Sequence, residues 1–158
     1  MSTAARRPRL PKPLALPMRL LPRKLHGYAL SKILNQVFKH EMRDGELDFL
    51  EGRTVCIKVT DAGLNYSVSM RQGLFVEAAG SNVDLTISGT LYDYLLLVTN
   101  REDPDTLFFQ RYLAMDGDTG LGVHLKNMLA GIDMENLLLP RQFQPAIDRC
   151  LAVYERFA

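Results

Sequence analysis

The sequence predicts an α+β domain, a five-stranded and mostly antiparallel sheet covered on one face by helices. Three observations predict it. Between Arg53 and Ser88, apolar and polar residues alternate with period two, the pattern of a sheet with one buried and one wet face. Asp61-Ala62-Gly63 and Gln72-Gly73 are short enough to close hairpins. Beyond Thr90 the apolar spacing becomes helical, and strands followed by helices indicate an α+β layering.

The 158 residues fit one domain large enough to bury a core without a disulfide or metal staple. With 47% apolar and 23% charged residues, the composition excludes a disordered, collagen-like or disulfide-scaffold chain. The longest unbroken apolar runs, Tyr94–Val98 and Cys150–Tyr154, are far too short to span a bilayer.

Charge divides the chain in two. Residues 1–24 carry seven basic groups and no acid, while the rest carries 12 basic and 18 acidic groups, a balance of −6. A mildly acidic body argues against a nucleic-acid surface. Five of the eight prolines fall in the first 23 residues, so residues 1–23 read as a basic, proline-rich arm and 24–158 as the domain. Pro13 and Pro17 interrupt Leu14–Leu21 and argue against a secretory signal. Two readings of the arm stay open. One is a solvated or loosely docked tail. The other is contact with an anionic lipid surface through Arg6, Arg7, Arg9, Arg19, Leu20, Leu21 and Arg23. Two cysteines, Cys56 and Cys150, form no secreted framework and fit a reducing compartment.

Along the domain, Leu30, Ile33, Leu34, Val37, Phe38 and Met42 predict one helix near Lys24–Arg43, ended by Asp44-Gly45. Strands are expected over Arg53–Thr60, Leu64–Arg71, Gly73–Ala79 and Val83–Ser88, the first three as an antiparallel meander. In the third, Leu74, Val76 and Ala78 share one side. Thr90 caps a helix over Leu91–Asn100 with a stripe of Leu91, Tyr94, Leu95 and Val98. Asp103-Pro104-Asp105 reads as cap, first helical residue and first-turn acid of a short helix through Gln110. Arg111–Asp116 is the fifth strand. Asp118 or Thr119 then caps a helix lined by Leu121, Leu125, Met128, Leu129 and Ile132. A last helix, about Arg141–Phe157, is expected to bury Phe143, Ile147, Cys150, Leu151 and Tyr154.

No catalytic pattern emerges. His26, His40 and His124 make no metal-ligand spacing, and no serine sits in a nucleophile elbow. The cysteines lack a neighbouring histidine and read as inert. Gly117–Gly122 offers backbone donors at a helix start. Asp116 and Asp118 would repel a phosphate, so a tight strand-to-helix turn outweighs an acyl-coenzyme A site. No catalytic residue, cofactor or metal is implied. An apolar-ligand protein has this character, since its pocket needs only shape and aliphatic walls. By periodicity alone the same residues are ordinary core.

One resemblance sharpens this. Met115-Asp116-Gly117-Asp118, then Gly120-Leu121, then Leu125-Lys126-Asn127-Met128-Leu129 resembles the strand–turn–helix signature of the sterol carrier protein type two (SCP-2) family, and the order of elements is similar. Asp44–Arg53, Asp103–Arg111 and Gly117–Thr119 resemble one branch of that family, bacterial accessory factors of ubiquinone synthesis. The resemblance covers roughly residues 25–135. It implies an apolar cavity between sheet and helices. It also implies a non-enzymatic, cytoplasmic role, peripheral at the inner membrane, in oxygen-independent ubiquinone synthesis. The implied ligand is a prenylquinone intermediate or phospholipid, presented to the hydroxylase proteins UbiU and UbiV. On that reading Leu91, Leu95, Leu107, Phe108, Leu125, Met128 and Leu129 are the candidate lipid contacts. A scaffold without lipid is the alternative, with an acyl-coenzyme A transferase behind it. A homodimer is left open.

Overall fold

The computed structural model describes residues 23–78, 82–132 and 144–156. Helix α1 (Arg23–Val37) and a short α2 (Lys39–Arg43) lead through a 3-10 turn at Asp48–Leu50 into strands β1 (Thr54–Val59), β2 (Leu64–Arg71), β3 (Leu74–Glu77) and β4 (Leu85–Gly89). Then follow α3 (Leu91–Val98), α4 (Pro104–Phe109), β5 (Ala114–Gly117), α5 (Thr119–Gly131) and α6 (Gln144–Arg156). The five strands form one mixed sheet in the order β3-β2-β1-β4-β5. β1–β2 and β2–β3 are antiparallel, as the expected meander requires; β4–β5 is also antiparallel, and β1–β4 is parallel. Glu77, Val68, Val55 and Leu85 stand in one row across the sheet. Strand β3 therefore ends at the level where β4 begins.

One sheet face carries Val55, Val68, Met70, Phe75, Leu85 and Ile87, all buried in the main core with Leu47, Leu50, Leu107, Leu113 and Leu121. The other presents hydroxyls, with Thr54 and Ser69 bonded side chain to side chain at 2.7 Å. In β3 the expectation is reversed. Phe75 is buried, whereas Leu74 is 54% exposed and Val76 is exposed too. Gln72 and Gly73 both have left-handed φ (52° and 75°), the geometry of a two-residue hairpin turn. That turn places Phe75 opposite Met70. Turn length, not apolar content, thus decides which parity faces the core.

The single N-terminal helix is broken at Phe38 into α1 and α2. Leu30, Leu34, Val37, Phe38 and Met42 meet the core as expected, but Ile33 is exposed. The reason is the close seat of α1 on β3. Gly27 and Ser31 face inward, and a Cβ at Gly27 would stand 2.7 Å from the Glu77 side chain. The Ser31 hydroxyl donates to the Gly27 carbonyl at 3.0 Å. Ile33 lies two residues from Ser31, about 200° around the helix, and points away. The Asn35 amide donates to the Phe75 carbonyl (2.9 Å) and accepts from the Phe75 N–H (2.7 Å), pairing the outer edge of β3 as a neighbouring strand would.

In α3 the buried residues are Asp93, Leu96 and Leu97, not the expected stripe. Leu91 and Tyr94 instead join Val59, Ala62 and Leu64 in a small second cluster. A helix this uniformly apolar has no marked face, so its neighbours choose the orientation. The caps behave as expected: Thr90, Asp103 and Asp118 accept from the N–H of Asp93, Thr106 and Leu121. Strand β5 starts later than expected. The Leu107 carbonyl captures the N–H of Tyr112 (2.9 Å) and Leu113 (3.1 Å), which tie the chain back to α4. In α6, Leu151 and Tyr154 are buried while Cys150 is exposed, a correction. Cys150 is one residue, about 100°, off the narrow Leu151–Tyr154 stripe. Phe143 lies outside the described residues.

Gly117 has φ +118°, and a Cβ there would stand 2.5 Å from the Asp84 carbonyl oxygen. Gly117→Ala is expected to cost about 1–3 kcal/mol from the backbone alone, read as a lower urea midpoint. An unchanged midpoint would show that the corner relaxes freely.

Candidate lipid-binding groove

A groove of about 480 Å³ opens where β5, α4 and the start of α5 converge. That size falls within the roughly 300–1,000 Å³ typical of small-molecule sites. Leu85, Phe108, Leu113 and Met115 supply apolar surface; Gly122, Val123 and Lys126 come from α5, and Arg111 and Asp116–Thr119 complete the polar lining. The local sequence builds it. Gly117 allows β5 to lie against Asp84 and turn sharply. Asp118 then starts α5, its carboxylate accepting from Leu121 N–H (3.0 Å) and lying 3.3 Å from the Arg53 guanidinium. Gly122 has no side chain where a Cβ would touch Leu85 (3.4 Å) and Met115 (3.5 Å), so α5 lies close over the sheet. The N–H groups of Leu121 and Gly122 are both taken by Asp118. The glycine run forms the tight strand-to-helix turn that was expected.

A second polar feature ties α3 to α6. The Asp61 carboxylate accepts from Leu91 N–H (3.1 Å) and from the Tyr154 hydroxyl (3.0 Å). Asp93, buried beside it, accepts from the Thr90 hydroxyl at 2.7 Å. Burial, and then the Asp61 carboxylate, push the Tyr154 phenol well above its ordinary value. Burial, with Cys56 and Asp93 behind it, does the same to Tyr94. The Tyr94 hydroxyl lies 3.1 and 3.0 Å from the Lys58 and Ile87 carbonyls, on adjacent strands. These groups fasten helices to the sheet; a phenol held protonated at neutral pH is a hydrogen-bond donor, not a base.

Of the candidate lipid contacts, Phe108 lines the groove. Leu107, Leu125 and Leu129 are buried in the main core, and Met128 packs against it half-buried. Leu91 belongs to the second cluster, and Leu95 is half-buried on α3. The structure therefore groups the α4 and α5 residues and sets the two α3 leucines apart. Sequence reasoning missed Leu85, Leu113, Met115 and Val123. The alternation of Leu113 and Met115 was the available signal, but nothing local says that β5 is an edge beside a groove. Arg6, Arg7, Arg9, Arg19, Leu20 and Leu21 lie outside the described residues, and Arg23 opens α1. His40 is exposed, and His124 stacks on Phe49 with ring centres 3.8 Å apart. Among the described residues no three His, Cys, Asp or Glu side chains cluster for a metal, and no helix is long and apolar enough to cross a membrane.

Comparison with known proteins places this geometry. The pattern of the SCP-2 sterol transfer family matches residues 30–130. The ubiquinone biosynthesis accessory factor UbiT of Escherichia coli (strain K12) is 38% identical over 127 residues, 80% of this chain and 73% of that protein. The protein of the same name from Escherichia coli O157:H7 aligns with the same figures. A solved structure described as UbiJ-SCP2 ubiquinone synthesis protein superposes with a TM-score of 0.51 at 12% identity, covering 64% of this chain and 90% of that one. At that identity the superposition shows a shared fold alone.

The tyrosine fastenings give a pH dependence. Because folding raises both phenol pKa values, their stabilisation is complete below the unfolded value of about 10 and is lost as pH rises through the folded values. The urea midpoint should hold between neutrality and about pH 9 and fall above about pH 10. A Tyr94→Phe/Tyr154→Phe double variant should be less stable at neutral pH by about 1–3 kcal/mol, with a shallower alkaline decline. Parallel curves for the two proteins would refute the assignment.

Proposed function

The chain belongs to the SCP-2 sterol transfer family and is a homologue of UbiT, and on that footing we propose that it is a non-enzymatic lipid-binding accessory factor of ubiquinone synthesis. The supporting observation is the groove, lined in part by Leu85, Phe108, Leu113 and Met115, on a fold shared with a named ubiquinone synthesis protein. The ligand is a prenylquinone intermediate or a phospholipid. Its tail meets Phe108 first, and it reaches Leu107, Leu125, Met128 and Leu129 if α4 and α5 part, enlarging the groove into a cavity. Leu91 and Leu95 serve a longer tail that extends towards α3. The physical reason for such a factor is plain: each CH₂ of a tail exposed to water costs about 0.8 kcal/mol. A protein that covers the tail lowers that cost while the quinone ring is worked on. The pathway is the oxygen-independent one, and the acceptors are UbiU and UbiV. Residues 1–23 form the arm that holds the protein at an anionic cytoplasmic leaflet, through Arg6, Arg7, Arg9, Arg19, Leu20, Leu21 and Arg23, each cation near the surface adding about 1 kcal/mol.

Organic extraction of the purified chain, followed by mass spectrometry, should release a phospholipid or prenylquinone. Val123→Trp, on an exposed wall of the groove, should lower the lipid recovered per protein by about tenfold, equivalent to about 1.4 kcal/mol. A clean extract that stays clean after incubation with lipid vesicles would overturn the reading. An undiminished yield from Val123→Trp would move the ligand out of this groove.

A further inference from the structure

We propose that Phe109 and Val123, flanked by Arg111 and Lys126, form a docking surface for an anionic phospholipid bilayer at the groove. Phe109 is 89% exposed and Val123 is 51% exposed. The position of Phe109 is dictated by α4. Leu107 is fully buried, and Phe109 sits two residues, about 200°, further round the same helix. The helix ends there, with Gln110 N–H bonded to the Thr106 carbonyl (3.0 Å) and Arg111 turned into the left-handed region at φ 60°. The phenyl ring is thus held outward next to Phe108, which lines the groove.

Charge selects the occupant. Arg111 and Lys126 line the same groove, and among the described residues neither makes an ion pair. The acid on the α5 side, Asp118, is already engaged by Arg53 and the α5 N–H groups. Asp116, on the β5 wall, and Asp105, exposed one turn before Phe109 on α4, are the opposing charges. An exposed aromatic ring flanked by free cations matches the interface of a bilayer, where the ring enters the headgroup layer and the cations meet anionic lipid. This surface uses no residue of the basic arm. It gives the proposed lipid groove a direct path to the membrane and rests on that reading for its purpose, though not for its test.

The chain contains no tryptophan, so Phe109→Trp in the full chain is a sole fluorophore. With vesicles of phosphatidylcholine and phosphatidylglycerol, its emission should shift to the blue and be quenched by brominated acyl chains. Leu74→Trp, on the opposite sheet face, should stay unshifted. Arg111→Glu/Lys126→Glu should weaken vesicle binding about tenfold, an effect that fades at high salt. Phe109→Leu should keep the full vesicle affinity that Phe109→Ser lowers, the remainder being the share of the basic arm. Unmoved emission from Phe109→Trp, whether or not the chain floats with vesicles, would overturn the proposal. So would a Phe109→Ser variant whose vesicle affinity is undiminished while a co-purifying protein is lost, which would make the surface a protein interface. Lipid extraction reads separately: a lipid-loaded chain whose Phe109→Trp signal stays fixed keeps the carrier function and loses only this surface.

Discussion

Three distant segments are held together at one corner, and the groove exists because of it. The Asp84 carboxylate accepts from Thr54 N–H at 2.8 Å, joining the start of β4 to the start of β1. The Asp84 carbonyl accepts from Asp118 N–H at 2.8 Å, joining β4 to the end of β5. Asp118 in turn caps α5. The Arg53 guanidinium reaches both carboxylates at 3.5 and 3.3 Å, but all three side chains are well exposed. Exposed ion pairs contribute about 0–1 kcal/mol, so the bonds to backbone N–H groups carry more of the corner's stability. Gly117 is the steric condition for all of this, since a side chain there would collide with Asp84. With the corner fixed, α5 starts beside the end of β5, and the groove lies between them and α4.

The two outer strands are treated differently. Strand β3 has its edge occupied by Asn35 and its inner face covered by α1. Among the described residues strand β5 has no comparable strand surrogate, and its residues line the groove. Closure on one side and access on the other give the layer a direction. Tyr154, at the start of α3, and Arg101, beyond its end, fasten α6 to the body. Tyr154 bonds Asp61, and Arg101 lies 3.7 and 3.6 Å from Asp148 and Glu155.

Much of this was legible before any coordinates. Helix caps at Thr90, Asp103 and Asp118 are local chemistry, and each was visible in two or three residues. The meander followed from turn spacing. What the sequence hid was of one physical kind, the choice between faces. In β3, Leu74 and Val76 look like core, yet a two-residue turn sets the opposite parity. In α3 nearly every side chain is apolar, so periodicity had no face to find, and the buried Asp93 is intelligible only beside Thr90 and the neighbouring helix. Cys150 falls on the helical spacing of Ile147, Leu151 and Tyr154, yet the buried stripe is narrower than that spacing and leaves it exposed. The groove failed to show for the same reason: Leu113, Met115 and Val123 carry no mark separating an exposed wall from a packed one.

The packing also constrains how a long tail would be accommodated on the proposed function. Leu107, Leu125 and Leu129 are almost fully buried, so the groove as it stands is bounded by packed core rather than by a deeper empty space lined with these leucines. Parting α4 from α5 would cost the contacts between them once, whatever the ligand. Each CH₂ drawn in would then return about 0.8 kcal/mol, and leucines displaced from one another would be covered by the tail instead of by water. A fixed opening cost set against a gain that grows with length favours long chains over short ones. It does so without any polar group reading the tail, so discrimination among headgroups or quinone rings falls to the rim, where Arg111, Lys126, Asp116 and Thr119 lie.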